Sequence, residues 1–213
     1  MDGGYGEGRG QAPSPPGVPP RGARPSPRAR STLRPRGDDP ERGPAPRHPR
    51  RGPMKITVLI VGQRRGPLAP AVLEFEERAS RYWKLEIVEV DAGTGRGGAP
   101  DEDEVRRAEG RRLRARLPEA EEVWALTRGG KGTSSEELAR TLGDRALRGA
   151  PGVTFLIGGA FGLDRDIVQE ADRRLSISAM TLPHAFARLV LAEQLYRAGT
   201  ILRNEPYHKG DTA

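Results

Sequence analysis

The chain has 213 residues, no cysteine, a formal net charge of +7, and no apolar run approaching the ~20 residues that cross a membrane. This excludes a disulfide framework, a thiolate metal site and a spanning helix. With no signal-type apolar stretch in the first 53 residues, a soluble cytoplasmic protein with no membrane or metal partner is expected.

The charge is unevenly placed. Residues 1–53 carry 11 arginines against 5 acids, with 13 prolines and 10 glycines, so all but one unit of the net charge sits there. Such a segment cannot bury enough apolar area to offset its ordering entropy, and it is expected to be disordered. It could be a basic arm for phosphate contact, have no specific role, or be absent from the protein as made. Met54, directly before the first credible strand, favours the last reading, a start placed too far upstream. The domain is therefore expected over residues 54–213. Because that part is near neutral, any contact with RNA must come from a local patch rather than bulk attraction.

From Met54 onward strands and helices alternate. KITVLIV (55–61) is a continuous apolar run, as in a strand covered on both faces. LAPAVLEFEERASRY (68–82) has helical spacing and LEIVEV (85–90) reads as a strand. Residues 100–117 form a helix with acids at its front and arginines behind, which suits the macrodipole. EVWAL (122–126) is a short strand. TSSEELARTLGDRAL (133–147) opens with a capping-box pattern, Thr133 with Glu136 or Ser134 with Glu137. VTFLI (153–157) is a buried strand. DRDIVQEADRRL (164–175) reads as a helix that Asp164 could cap, SISAM (176–180) as a strand or extended loop, and AFARLVLAEQLYRA (185–198) as a helix that Gly199 can stop.

Strands separated by helices of 10–15 residues predict βαβ units and a mainly parallel sheet with helices on both faces. Ligands of such folds bind at the carboxyl ends of strands, which directs attention to TRGGKGT (127–133), GGAFG (158–162) and TLPH (181–184). The glycine turn is not a dinucleotide fingerprint: its spacing is G-G-x-x-G, it comes late in the chain, and SISAMTL supplies no acid for a ribose. Gly158, Gly159 and Gly162 still allow close backbone approach. The loop SAMTLPH could frame a flat, mostly uncharged ligand, or simply connect a strand to a helix. Tyr207 and His208, side by side near the chain end, could stack on a base and orient it, or belong to a frayed tail.

Taken together, MKITVLIVG, GKGTSSEELA, the IGGxxGL turn, S-x-x-TLPH, R-x-x-LxEQLYRA and the final YHK resemble the RlmH family of bacterial ribosomal-RNA methyltransferases, of the SPOUT class, over residues 54–209. The resemblance implies an α/β fold with a C-terminal trefoil knot, an exception to the rule that chains are unknotted. It implies S-adenosylmethionine as cofactor, a homodimer whose site is shared across the interface, and as substrate a pseudouridine of large-subunit (23S) ribosomal RNA within the assembled ribosome, methylated at N3. Carried over by position, the cofactor contacts are Leu126, Gly158, Gly159, Ser178, Ala179, Met180, Thr181, Leu182 and Pro183. His184, Arg188, Arg197, Tyr207 and His208 match positions on the substrate side.

The N3 proton of pseudouridine is imide-like and must leave, so a general base is plausible. His208 is the first candidate and His184 the second, a positioning residue where the cofactor site meets the substrate site. Arg188 or Arg197 could stabilise the anionic base or hold phosphate, although Glu193 and Arg197 are also spaced for a simple i,i+4 pair. The rival reading is a non-catalytic RNA- or ribosome-binding module.

Overall fold

The computed structural model describes residues 52–94 and 101–208, the last of these, His208, by its backbone alone. They lie in one compact unit, Pro46–Ala213. The expectations for residues 1–51 and for Lys209 fall outside the described residues.

Five strands form one parallel sheet: β1 (Lys55–Val61), β2 (Lys84–Val90), β3 (Glu122–Gly132), β4 (Gly152–Ile157) and β5 (Arg173–Ser176), in the order β2-β1-β4-β3-β5. Five helices connect and cover it: α1 (Ala69–Ala79), α2 (Glu102–Arg114), α3 (Ser135–Arg148), α4 (Arg165–Glu170) and α5 (His184–Leu202). A 3-10 turn, Pro206–His208, follows α5. The two most apolar runs, β1 and β4, are central neighbours and buried along almost their whole length. In β1, Ile56, Val58 and Ile60 face a core closed by α1, α3 and α5. Leu59 and Val61 face a smaller core closed by α2 and α4. The two-residue alternation of a strand thus sends apolar side chains to both faces, which explains why the sequence shows no polar face there.

The helix ends follow local chemistry. α2 begins with Glu102, Asp103 and Glu104 and ends among Arg111, Arg112 and Arg114, each group at the favourable end of the macrodipole. Of the two capping candidates for α3, Ser134 is the cap, its hydroxyl accepting from the Glu137 N–H at 3.1 Å. The Glu137 side chain is bound to Lys131. Asp164 caps α4 through the Asp166 N–H.

Three expectations are corrected. The helix expected over 164–175 ends at Glu170, and Arg173–Ser176 is strand β5. Its partner is distant in sequence: β5 pairs with β3, the Asp172 carboxylate accepts the Val123 N–H, and the Arg173 guanidinium lies 5.1 Å over the Trp124 ring. Next, TRGGKGT is not a free loop but the continuation of β3. Its register shifts between Leu126 and Lys131, both of which align with Leu175. A Cβ on Gly130 would stand 2.5 Å from the Leu175 carbonyl carbon, so only glycine lets the bulge press against β5. Finally, Gly199 does not stop α5. It lies inside the helix because a Cβ there would stand 2.2 Å from Cγ of Tyr82. The chain leaves α5 at Asn204, whose φ of +55° is the left-handed conformation asparagine tolerates best among residues with a side chain.

Candidate functional site

The carboxyl ends of β4 and β5 and the Leu126–Arg128 stretch of β3, where its bulge begins, meet at one edge of the sheet and enclose a cleft of about 460 Å³. One wall is the glycine turn after β4. A Cβ on Gly158 would stand 2.4 Å from the Gly162 carbonyl carbon, and Gly162 has φ +83°; the turn closes with the Gly162 N–H donating to the Gly159 carbonyl at 3.1 Å. α2 supports it from behind. A Cβ on Gly159 would lie 2.7 Å from Oε2 of buried Glu109, whose Oε1 accepts the Gly93 N–H at 2.8 Å. Arg106, also on α2, donates to the Phe161 carbonyl at 3.2 Å.

The opposite wall is the loop between β5 and α5. It is fixed by its own small polar residues: the Ser176 hydroxyl donates to the Ser178 carbonyl, and the Met180 N–H donates to the Ser178 hydroxyl. Arg128, from the β3 bulge, donates to the Thr181 hydroxyl at 3.2 Å. Pro183 then caps α5, and His184 is its first residue.

Leu126, Gly158, Gly159, Ser178, Met180, Thr181, Leu182 and His184 all line this cleft. Ala179 and Pro183 belong to the same loop but do not line it. The floor is apolar, with Ile157, Ile177 and Ala187 beside Leu126 and Leu182. Glu102, Arg106, Arg128 and Phe161 also line the cleft and were not singled out from the sequence. Arg106 pairs with Asp103 and Glu102, as any helix-surface arginine would at that spacing. Only its third bond, 55 residues away, ties it to the site.

The expected substrate-side residues separate into two places. His184 is at the cleft, its Nε2 3.4 Å from the position a Cβ on Gly62 would take. Arg197 and Tyr207 are near the other end of α5, 13 residues and roughly 20 Å farther along it at 1.5 Å per residue. There Arg197 pairs with Glu193 at 2.8 Å and lies 4.9 Å over the Tyr207 ring. The Tyr207 hydroxyl donates to Glu193, and its ring meets Tyr196 edge-on at 4.6 Å. Burial and the Glu193 carboxylate push the Tyr207 phenol above its ordinary pKa. The side chain of His208 lies outside the described residues.

Arg188 does not line the cleft. It is buried one turn beyond His184, with Nε on Glu76 at 2.7 Å and a terminal nitrogen on Glu89 at 2.6 Å. Arg64 completes the group: its guanidinium reaches Glu76 at 2.9 Å and its backbone N–H reaches Glu89 at 3.1 Å. Burial alone would raise the Glu89 pKa, but the hydrogen bonds from Arg188 and the Arg64 N–H hold it below the ordinary glutamate value. Burial would lower the Arg188 pKa, and its two carboxylates raise it instead. Glu89 therefore stays ionised against a fixed cation.

Among the described residues, no group of acids and histidines is placed to hold a metal ion, and no helix is long and apolar enough to cross a membrane.

Known proteins of similar sequence show the family. The profile of a family described as "Predicted SPOUT methyltransferase" matches residues 54–208. The chain is 46% identical over 157 residues to a protein of Gemmatimonas aurantiaca named ribosomal RNA large subunit methyltransferase H, covering 73% of this chain and 100% of that one. It is 45% identical over 156 residues to the protein of the same name from Syntrophotalea carbinolica, covering 73% and 99%. With that of Clostridioides difficile it shares 41% over 159 residues, covering 73% and 100%.

Proposed function

The chain belongs to the SPOUT methyltransferase family, and on that premise we propose that it methylates N3 of a pseudouridine in large-subunit ribosomal RNA within the assembled ribosome, as a homodimer using S-adenosylmethionine. The observation that carries this reading is the cleft, where the ends of β4 and β5, the β3 bulge and the loop before α5 meet.

The cleft fits that cofactor. Its apolar floor suits a flat adenine, the glycine turn and the 178–182 loop bring backbone groups close, and the volume is in the range of small-ligand sites. Glu102, Arg106 and Arg128 at the rim suit the charged amino-acid end. Leu126, Gly158, Gly159, Ser178, Met180, Thr181 and Leu182 are the residues we assign to holding it, with Ala179 and Pro183 shaping the same loop and the family's C-terminal trefoil knot keeping that loop in place. When bound, the group supplies an already activated methyl, so the protein's contribution is alignment.

The remaining work is the proton on N3. We assign its removal to His208, a neutral imidazole being suited to that task near neutral pH. Tyr207 and Arg197 orient the base beside it, and His184 positions the nucleotide at the edge of the cleft. We assign Arg188, buried with Nε and one terminal nitrogen on two carboxylates, a positioning role.

The two ends of α5 lie too far apart to meet one nucleotide within a single chain. A second copy that brings its Arg197, Tyr207 and His208 to the first copy's cleft resolves this, which supports the homodimer.

Calorimetry with S-adenosylmethionine, followed by transfer of its labelled methyl to purified ribosomes, tests the proposal. Saturable binding and labelling of large-subunit RNA are expected. Absence of binding at millimolar cofactor would overturn it.

A further inference from the structure

His184 is a wall shared by two hollows. One is the cofactor cleft. The other is a small hollow under the β1–α1 connection, lined by Gln63, Arg64, Arg65, Leu68 and Arg188 among others. The connection, GQRRGP (62–67), leaves the carboxyl end of β1 through Gly62 and Gly66, both at positive φ, and its Gly62 lies against the His184 ring.

The charges here are not equivalent. Arg188 and Arg64 are set against Glu76 and Glu89 in a lattice of two cations and two anions. That lattice is neutral, and it fixes the connection to α1, β2 and α5 at once. Arg65 is the cation left over: it is exposed and has no hydrogen bond or ion pair among the described residues. A domain that is nearly neutral as a whole thus places an exposed, unpaired guanidinium beside the histidine at the edge of the methyl-transfer cleft, on a backbone anchored at the adjoining Arg64. Pre-organisation of this kind lowers the ordering cost of an arginine–phosphate contact.

We propose that Arg65 is a phosphate contact for the RNA strand entering over His184, and that the Arg188–Glu76–Glu89–Arg64 lattice holds it in register with the cleft. The inference rests on the proposed RNA substrate and adds the side from which that substrate is gripped. It also explains why Arg188 is kept from the ligand: it supports the connection that carries the contact.

The test is the affinity of the full chain for purified ribosomes as a function of salt, a readout that needs no turnover. Arg65→Ala weakens binding about tenfold, the low end for a charge-assisted hydrogen bond at an exposed site. It also flattens the plot of log affinity against log salt by about 0.7–0.9, one phosphate contact. Arg65→Lys recovers most of both effects. Arg148→Ala removes the same charge at the opposite end of the sheet, at the last residue of α3, and leaves the slope unchanged. Calorimetric affinity for S-adenosylmethionine is the same in all four proteins.

An unchanged slope in Arg65→Ala, an equal change in Arg148→Ala, or no ribosome binding by the parent chain at low salt would each overturn the proposal. Arg65-dependent binding without methyl transfer would instead sustain the contact and sink the catalytic reading.

Discussion

Replacing Gly199 by alanine places a methyl group where Tyr82 already stands. The new Cβ would lie 2.2 Å from Cγ of that ring and 2.6 Å from Cβ and Cδ1. The ring cannot yield easily: its hydroxyl donates to Glu205, its edge meets Tyr196 at 5.7 Å, and Arg203 lies 4.6 Å over its face. Glycine to alanine inside a helix gains about 1 kcal/mol from backbone propensity. Overpacking against a fixed ring costs up to about 3 kcal/mol, so a net loss of about 2 kcal/mol is expected. Gly143 on α3 is the internal comparison. A Cβ there meets only the Cδ2 end of Leu202 at 2.7 Å, a half-exposed side chain free to rotate away. Gly143→Ala should therefore be neutral or stabilising by up to about 1 kcal/mol. Urea denaturation followed by circular dichroism measures both. A Gly199→Ala protein as stable as the parent would refute the claim that close helix approach, and not helix termination, accounts for that glycine.

Gly159→Ala should weaken S-adenosylmethionine binding about tenfold or more, because the new methyl meets the Glu109 carboxylate and must push the turn into the cleft; unchanged calorimetric affinity would count against the turn as a cofactor wall. At high pH, Tyr82 should lose a stabilising role. Burial and the Glu205 carboxylate raise it from 10.0 to about 12, so the fold favours the protonated phenol. That stability is full below pH 10 and is lost as pH rises towards 12, and Tyr82→Phe should flatten denaturation midpoints over that window. On the acid side, Glu89 and Glu122 have lowered pKa values; their contribution is present above the ordinary glutamate value and is lost as pH falls through the folded one. If the site is shared between copies, mixing a His184→Ala protein with a Tyr207→Phe protein should restore about a quarter of parental transfer, the fraction of intact sites in randomly re-formed dimers when each variant alone is inactive. Failure to recover any would show that one chain supplies both groups.

The parts of the fold legible in the sequence were those decided locally. The apolar runs of β1 and β4 declare strands buried on both faces, and Ser134 and Asp164 cap helices where short polar side chains precede helical spacing. What failed was decided by distant partners. RRLS reads as helix by its neighbours and becomes a strand because β3 offers an edge and Trp124 a face for Arg173. Gly199 resembles a helix stop until Tyr82, far away in sequence, is seen against it. The candidate site divides in the same way. Strand-end loops could be located from the α/β pattern alone, so the cleft was found. Arg106 and the lattice around Arg188 bind partners 55 and 112 residues distant, and no periodicity or spacing announces such contacts.

The central claim is chemical, and mass spectrometry of large-subunit ribosomal RNA tests it most directly. RNA from ribosomes treated with this protein and S-adenosylmethionine should gain one methyl, at a pseudouridine, with none gained when the cofactor or the protein is left out. Large-subunit RNA identical with and without the protein, under conditions where the cofactor is bound, would contradict the account.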